Sequence, residues 1–326
     1  MESRKLAARL ARAMMLSLAL AAGGVAGGGL TAGAAELGTY KGNGLPGRNA
    51  MPNFEAWLGR PVPHAIDFFS NMTWSDMVNE GAWVTQSWRG QRWHMTFSIP
   101  MLPNDWTIGL ADGQTGQFNR YFRLMAQDLV AKGFGSSIIR LGWEFNGGWY
   151  RWSAWKCPSC FAGFWRQIVT TMRAVPGANF RFDWTMALGF QGVAAEKAYP
   201  GDDYVDIIGA DVYNDAWPVD LRTPTKRWAH LMNQDHGLKW HAAFAAAHNK
   251  PMSFPEWGTG TRPGYPGVGG GDDPYFVEQM HDWIATHNVV YHDYWDYNAG
   301  DFKAKLSNNQ YPKAAAAFRR LFGPAS

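Results

Sequence analysis

The chain has 326 residues with 30 Lys and Arg against 27 Asp and Glu, and one N-terminal stretch accounts for the whole excess. Residues 1–34 carry Arg4, Lys5, Arg9 and Arg12 against Glu2 alone, which leaves 26 basic and 26 acidic groups in the rest. Such a balance excludes the classes that bind nucleic acid or anionic membrane through net charge, and the length left over suits one α/β barrel domain of roughly 250 residues or more.

Taken in order, residues 1–34 read as a secretory signal peptide. Basic residues precede the apolar run "AMMLSLALAAGGVAGGGL", and Ala32-Gly33-Ala34 fits the small-residue cleavage rule. A mature chain beginning near Ala35, secreted or periplasmic and free of the membrane, is the expectation. An uncleaved anchor is the alternative, although the run is Gly-rich and weak for a span of roughly 20 residues.

From Leu37 onward, short apolar runs alternate with longer amphipathic ones. Strands are predicted at 37–42, 65–70, 93–99, 137–144, 180–188, 205–213, 251–256 and 289–295. Helical spacing marks "NRYFRLMAQDLVAKG", "RWAHLMNQDHGLKWHAAFAAAHNK", "DPYFVEQMHDWIATH" and the closing "PKAAAAFRRLFG". Eight strand-then-helix units predict a single-domain (β/α)8 TIM barrel over 35–326. An open doubly wound sheet is the runner-up, and its GxGxxG fingerprint is missing. The Gly-rich stretch 258–274 is too long for an ordinary βα turn and reads as a mobile flap beside strand seven.

Cys157 and Cys160, in "WKCPSC", are the only cysteines. Two thiols cannot complete a tetrahedral zinc site. In an exported chain a short-loop disulfide is the reading, with a redox CxxC as the alternative. The nine histidines show no ligand spacing and read as packing or surface groups; His292 is singled out for its proximity to Trp295. No metal or organic cofactor is expected.

All 18 Trp lie beyond residue 34, more than a core needs, so some are expected to line a groove for a ligand with flat apolar faces, as sugar rings have. Active sites of such barrels sit at the C-terminal ends of the strands. Glu144 closes predicted strand four and Glu256 closes strand seven, so the two face each other across the barrel mouth. Paired carboxylates among aromatic rings suit glycosidic-bond hydrolysis. Packing against Trp143 or Trp149 would raise the proton affinity of Glu144, and Tyr213, at the end of strand six, could donate its phenolic hydrogen to Glu256.

In these motifs the chain resembles a clan A retaining glycoside hydrolase, and within that clan glycoside hydrolase family 26, which includes β-mannanases, β-1,3-xylanases and mixed-linkage β-glucanases. The strand-four pattern is carried by Arg140, Glu144, Asn146, Gly147, Trp149 and Trp152, the strand-six pattern by Asp211 and Tyr213, and the strand-seven pattern by Glu256 and Gly258. The resemblance implies Glu144 as acid/base and Glu256 as nucleophile. It adds Arg140, Trp143, Asn146, Trp149, Trp152, Asp211, Tyr213 and Trp295 as substrate-binding residues, Trp295 as a sugar platform. The chain departs from the family in having Trp143 where a His usually precedes the acid/base. The expected protein is a monomeric endo-β-glycanase acting on a polysaccharide, with β-mannan as best guess. A bacterial exopolysaccharide hydrolase, a transglycosylase and a non-catalytic binding protein are the alternatives.

Overall fold

The computed structural model describes residues 35–324; the leader assigned to 1–34 lies outside them. Eight parallel strands run β1 (Glu36–Thr39), β2 (His64–Phe68), β3 (His94–Ile99), β4 (Ile138–Leu141), β5 (Arg181–Ala187), β6 (Ile207–Tyr213), β7 (Met252–Gly258) and β8 (Val289–Tyr294). Each pairs with its sequence neighbour from β2 to β8, and β8 pairs with β1. The ladder is interrupted only between β1 and β2, where Gly38 lets the strands approach. A Cβ built there would fall 2.8 Å from the His64 carbonyl oxygen and 1.9 Å from Asp293 Oδ1, so a side chain would push the seam apart. The result is a nearly closed (β/α)8 barrel.

Nine helices of the described residues surround it: α1 (Gly44–Leu58), α2 (Trp74–Trp88), α3 (Leu110–Gly113), α4 (Asn119–Ala131), α5 (Pro158–Arg173), α6 (Pro224–Asn233), α7 (Leu238–Ala247), α8 (Pro274–Thr286) and α9 (Pro312–Phe322). Their ends are written in the sequence. Thr73 caps α2 by accepting from Asp76 N, and Asp273 caps α8 by accepting from Phe276 N. Pro stands in the first turn of α5, α6, α8 and α9, where its missing N–H costs nothing. The stretch read as helical over 227–250 holds two helices, because His236 adopts φ 57° and Gly237 is the extended N-cap residue before α7. Among the described residues no helix is long and apolar enough to cross a membrane.

The apolar core lies between sheet and helices. Phe97, Ile139, Phe182, Trp184 and Met186 are fully buried there with Phe122, Phe164 and Trp165. The alternate strand residues are polar and bond across the barrel interior. Ser253 on β7 and Tyr291 on β8 both donate to Asp183 on β5, at 2.6 Å each, and His64 on β2 bonds Asp293 on β8 at 3.0 Å. A strand's period of two thus separates an oily outer face from a hydrogen-bonded lumen, and the same inward rows carry Arg140, Asp211 and Glu256 toward the mouth.

The segment 258–274 is not the free flap expected. It bridges to Asp215 through Gly269 and to Lys303 through Thr261. Gly270 N donates to Asn214 O at 2.7 Å, and Val268 is buried. Two of its glycines serve close backbone approach: a Cβ on Gly260 would lie 2.0 Å from Lys303 O, and one on Gly269 2.4 Å from Gly260 O.

Candidate active site

At the C-terminal end of the strands a cavity of about 690 Å3 opens, with Glu144, Glu256, Asp211 and Tyr213 on its wall. The strand-four turn that carries Glu144 is strained. The strand stops at Leu141, and the chain then passes through Gly142 (φ 50°) and Glu144 itself (φ 52°). A glutamate in the left-handed region costs of order 1–3 kcal/mol, and such strain collects at functional sites. What holds it is a set of bonds to β5: Glu144 N donates to Thr185 O, while the Asn146 amide donates to Ala187 O and Gly189 O and accepts from Ala187 N.

Glu256 sits inside β7 rather than at its end. The registers of β7 with β8 and with β6 both shift in this part of the strand, between Phe254 and Trp257 on one side and opposite Gly209 to Val212 on the other. Pro255, which has no N–H to give the ladder, lies in that irregular stretch. Bulges of this kind re-aim a side chain. Both carboxylate oxygens of Glu256 are engaged: Arg140 Nη1 donates to Oε1 at 2.6 Å and Tyr213 Oη to Oε2 at 2.6 Å.

Arg140 also pairs with Asp211. Burial works against its charge, but Asp211 and Glu256 outweigh that and raise its proton affinity. The one guanidinium is thus shared by two carboxylates, with Glu144 a third close by. Within this cluster the pKa of Glu144 is pushed up to about 7, first by burial and then by the charge of Glu256. Burial likewise raises Asp211, against the pull of Arg140. It also raises the Tyr213 phenol, which therefore keeps its proton and donates it.

The aromatic residues divide into wall and frame. Trp143, Trp149, Tyr150 and Trp295 line the cavity. Trp295 stacks on Tyr40 with centroids 4.3 Å apart. Trp149, expected to raise the proton affinity of Glu144 by packing, acts in the other direction. Its Nε1 donates to Glu144 Oε2 at 2.7 Å, which favours the carboxylate, so the rise comes from burial and Glu256 instead. Trp143 donates through Nε1 to Tyr150 Oη at 3.1 Å, and the Arg140 guanidinium lies 5.5 Å from its ring centroid.

Three residues expected to touch substrate stand behind the wall. Arg140, Asn146 and Trp152 are fully buried and none lines the cavity. Trp152 stacks on Tyr150 at 4.5 Å and donates to Trp143 O at 2.7 Å, so it shapes the loop that presents Trp143. His292 is also not at the mouth. It is buried, accepts from Trp257 Nε1 at 3.1 Å, and burial holds its pKa down to about 3. Cys157 and Cys160 are joined by a disulfide at the start of α5, directly after the segment carrying Glu144 and Trp149.

Sequence reasoning missed Tyr40, Phe68, Trp217 and Arg262 on the cavity wall. Tyr40 and Phe68 lie at the ends of β1 and β2, where a survey of every aromatic residue near a strand end would have found them. Arg262, bonded to Asp215 Oδ2 at 2.6 Å, lies in the Gly-rich segment and carried no such signal.

Comparison with known proteins bears on the family and the fold. The model of glycosyl hydrolase family 26 matches residues 124–235, a span that holds Glu144 and Tyr213 but ends before Glu256. Endoglucanase H of Acetivibrio thermocellus is 25% identical over 89% of this chain, and the chain spans about a third (31%) of that curated relative. Among solved structures, a Bacillus subtilis mannanase superposes with a TM-score of 0.59 at 15% identity, covering 87% of this chain and 85% of that one. A modular endo-β-1,4-mannanase from Cellulomonas fimi superposes with 0.61 at 18% identity, covering 86% and 70%. At those identities the structural likeness is one of fold. The partial family match and the curated relative point one way: over residues 124–235 the chain resembles glycosyl hydrolase family 26, on a barrel of the same kind.

Proposed function

We propose that the chain is a secreted, retaining endo-β-glycanase working by double displacement, with Glu144 as acid/base and Glu256 as nucleophile. The observation that carries the reading is the unequal treatment of two carboxylates on one cavity wall. Glu144 is driven toward its protonated form up to about pH 7, while Glu256 has both oxygens fixed by Arg140 and Tyr213. Unlike environments for paired carboxylates are how acid and nucleophile are assigned.

In the first step Glu144 protonates the glycosidic oxygen as it leaves, and Glu256 attacks the anomeric carbon to form a glycosyl-enzyme. In the second, the ionised Glu144 takes a proton from water, which displaces Glu256. Loss of the leaving chain and of charge on Glu256 changes the field on Glu144, which suits its exchange of roles. Trp295 offers a ring face for a sugar beside the reacting centre. Its Nε1 and Asp211 Oδ1 are buried without a protein partner.

β-Mannan is the substrate we assign first, supported by the mannanases among the structural neighbours. A β-glucan is the second reading, favoured by the endoglucanase relative. Export and a monomeric state are part of the proposal, the former supported by the leader pattern in residues 1–34. A reducing-sugar screen over β-mannan, mixed-linkage β-glucan, xylan and bacterial exopolysaccharides tests it. Release of shorter chains from mannan or glucan is expected. Redistributed lengths without new reducing ends would make it a transglycosylase, and silence on every β-linked polymer would defeat the proposal.

A further inference from the structure

Outside the cavity one large ring is presented to solvent in a way that packing does not require. Trp106, in the segment between β3 and α3, is 79% exposed. A lone exposed apolar residue is ordinary; an immobilised one is not. The Arg151 guanidinium covers one face of the indole, its Cζ lying 4.0 Å from the ring centroid. The same group donates through Nη2 to the backbone oxygens of Asp105 (2.5 Å) and Ile108 (2.7 Å), on either side of Trp106. Asp105 Oδ1 in turn accepts from Thr107 N and Thr107 Oγ1, at 2.9 and 2.7 Å. Loop, cation and ring form one unit, with the ring's entropy of ordering already spent and its other face turned outward.

The unit is joined to the cavity. Arg151 follows Trp149 and Tyr150 on the segment that carries Glu144, and all three of those line the wall. Trp106 follows β3, and so lies at the same end of the barrel as the mouth, beyond the residues that line the cavity. Across the mouth, Trp217 from the segment after β6 is also exposed and packs edge-on against Tyr265 at 5.1 Å.

We propose that Trp106 is a distal platform on which a neutral sugar ring of the polysaccharide stacks, several residues along the chain from the bond cleaved. A rigid indole backed by a cation offers a flat apolar face suited to the C–H face of a hexopyranose. Its neighbours Asn104, Asp105 and Thr107 are exposed and polar. The apolar area is thus one ring, far below what a protein partner needs and the right size for one sugar. A chain held at this rim while its middle is cleaved is attacked internally, so the platform deepens the endo reading and rests on it.

The test compares wild type with Trp106→Ala and Trp106→Phe on β-mannan and on a 4-nitrophenyl β-disaccharide too short to reach the rim. Trp106→Ala should lower kcat/KM on mannan by about five- to tenfold more than on the disaccharide, mainly through KM, as loss of one stacked ring implies. Trp106→Phe should restore most of it. Equal loss on both substrates would show a structural role, and no selective loss on mannan would also overturn the proposal. Affinity electrophoresis through mannan, using Glu256→Gln with and without Trp106→Ala, separates the two readings. Retardation that depends on Trp106, together with a wild type that releases no reducing ends from any polymer, keeps the platform and sinks the enzyme reading. Hydrolysis and retardation indifferent to Trp106 do the reverse.

Discussion

Replacing Glu144 by glutamine removes a carboxyl whose pKa stands at about 7 instead of 4.5, and the consequence for stability can be worked out. A group whose folded pKa is raised keeps its proton in the fold while the unfolded chain has already lost it. Stability is therefore full below pH 4.5, falls as pH rises from 4.5 through 7, and stays low above. A shift of that size corresponds to roughly 3 kcal/mol at pH 9, charged against a fold that must then hold an ionised Glu144 beside Glu256. Glutamine has nearly the same shape, keeps an oxygen for the Trp149 Nε1 bond and cannot ionise. Glu144→Gln should thus be inactive on polysaccharide yet more stable than wild type by up to about 3 kcal/mol at pH 9, with the difference vanishing near pH 4. Urea denaturation at pH 4, 6 and 9 reads this directly. A gain equal at all three pH values, or a loss at pH 9, would refute the assigned proton affinity and with it the acid role.

Tyr213→Phe deletes the donor 2.6 Å from Glu256 Oε2. A charge-assisted bond of about 1.5–3 kcal/mol predicts a fall in kcat/KM of roughly ten- to a hundredfold with an unchanged circular dichroism spectrum. Arg140→Met leaves buried Asp211 and Glu256 without their shared cation, so destabilisation of about 3–5 kcal/mol is expected in urea, whereas a variant as stable as wild type would show that neither carboxylate depends on it. Thiol titration of the unfolded, unreduced chain should find no free sulfhydryl at Cys157 or Cys160, as their disulfide requires.

The barrel was legible because parallel strands packed on both faces leave unmistakable runs between amphipathic helices, and each of the eight predicted runs contains or overlaps a strand. Glu144 and Glu256 were legible for a topological reason: strands four and seven face each other whatever the loops do. Side-chain direction was not. Asn146 and Trp152 share a motif with Glu144, but a turn with two positive-φ residues in a row of four sends motif neighbours to opposite sides, which spacing alone does not reveal. The lumen network of Asp183, Ser253 and Tyr291 depends on which strands meet across a closed barrel, and the break at His236 on one residue accepting a left-handed backbone. Arg262 reached the wall through a loop path fixed by bonds to Asn214 and Lys303, residues far away in sequence.

The roles of the two glutamates are tested most directly by azide rescue with an activated aryl β-glycoside. Glu144→Ala should still glycosylate Glu256, because a good leaving group needs little protonation, and then stall for want of a base. Azide needs no base, so turnover should resume and the product should be the β-glycosyl azide. β-Glycosyl azide from Glu256→Ala, together with α-glycosyl azide from Glu144→Ala, would reverse the assignment of acid/base and nucleophile, because azide replacing a deleted nucleophile inverts the anomeric centre once.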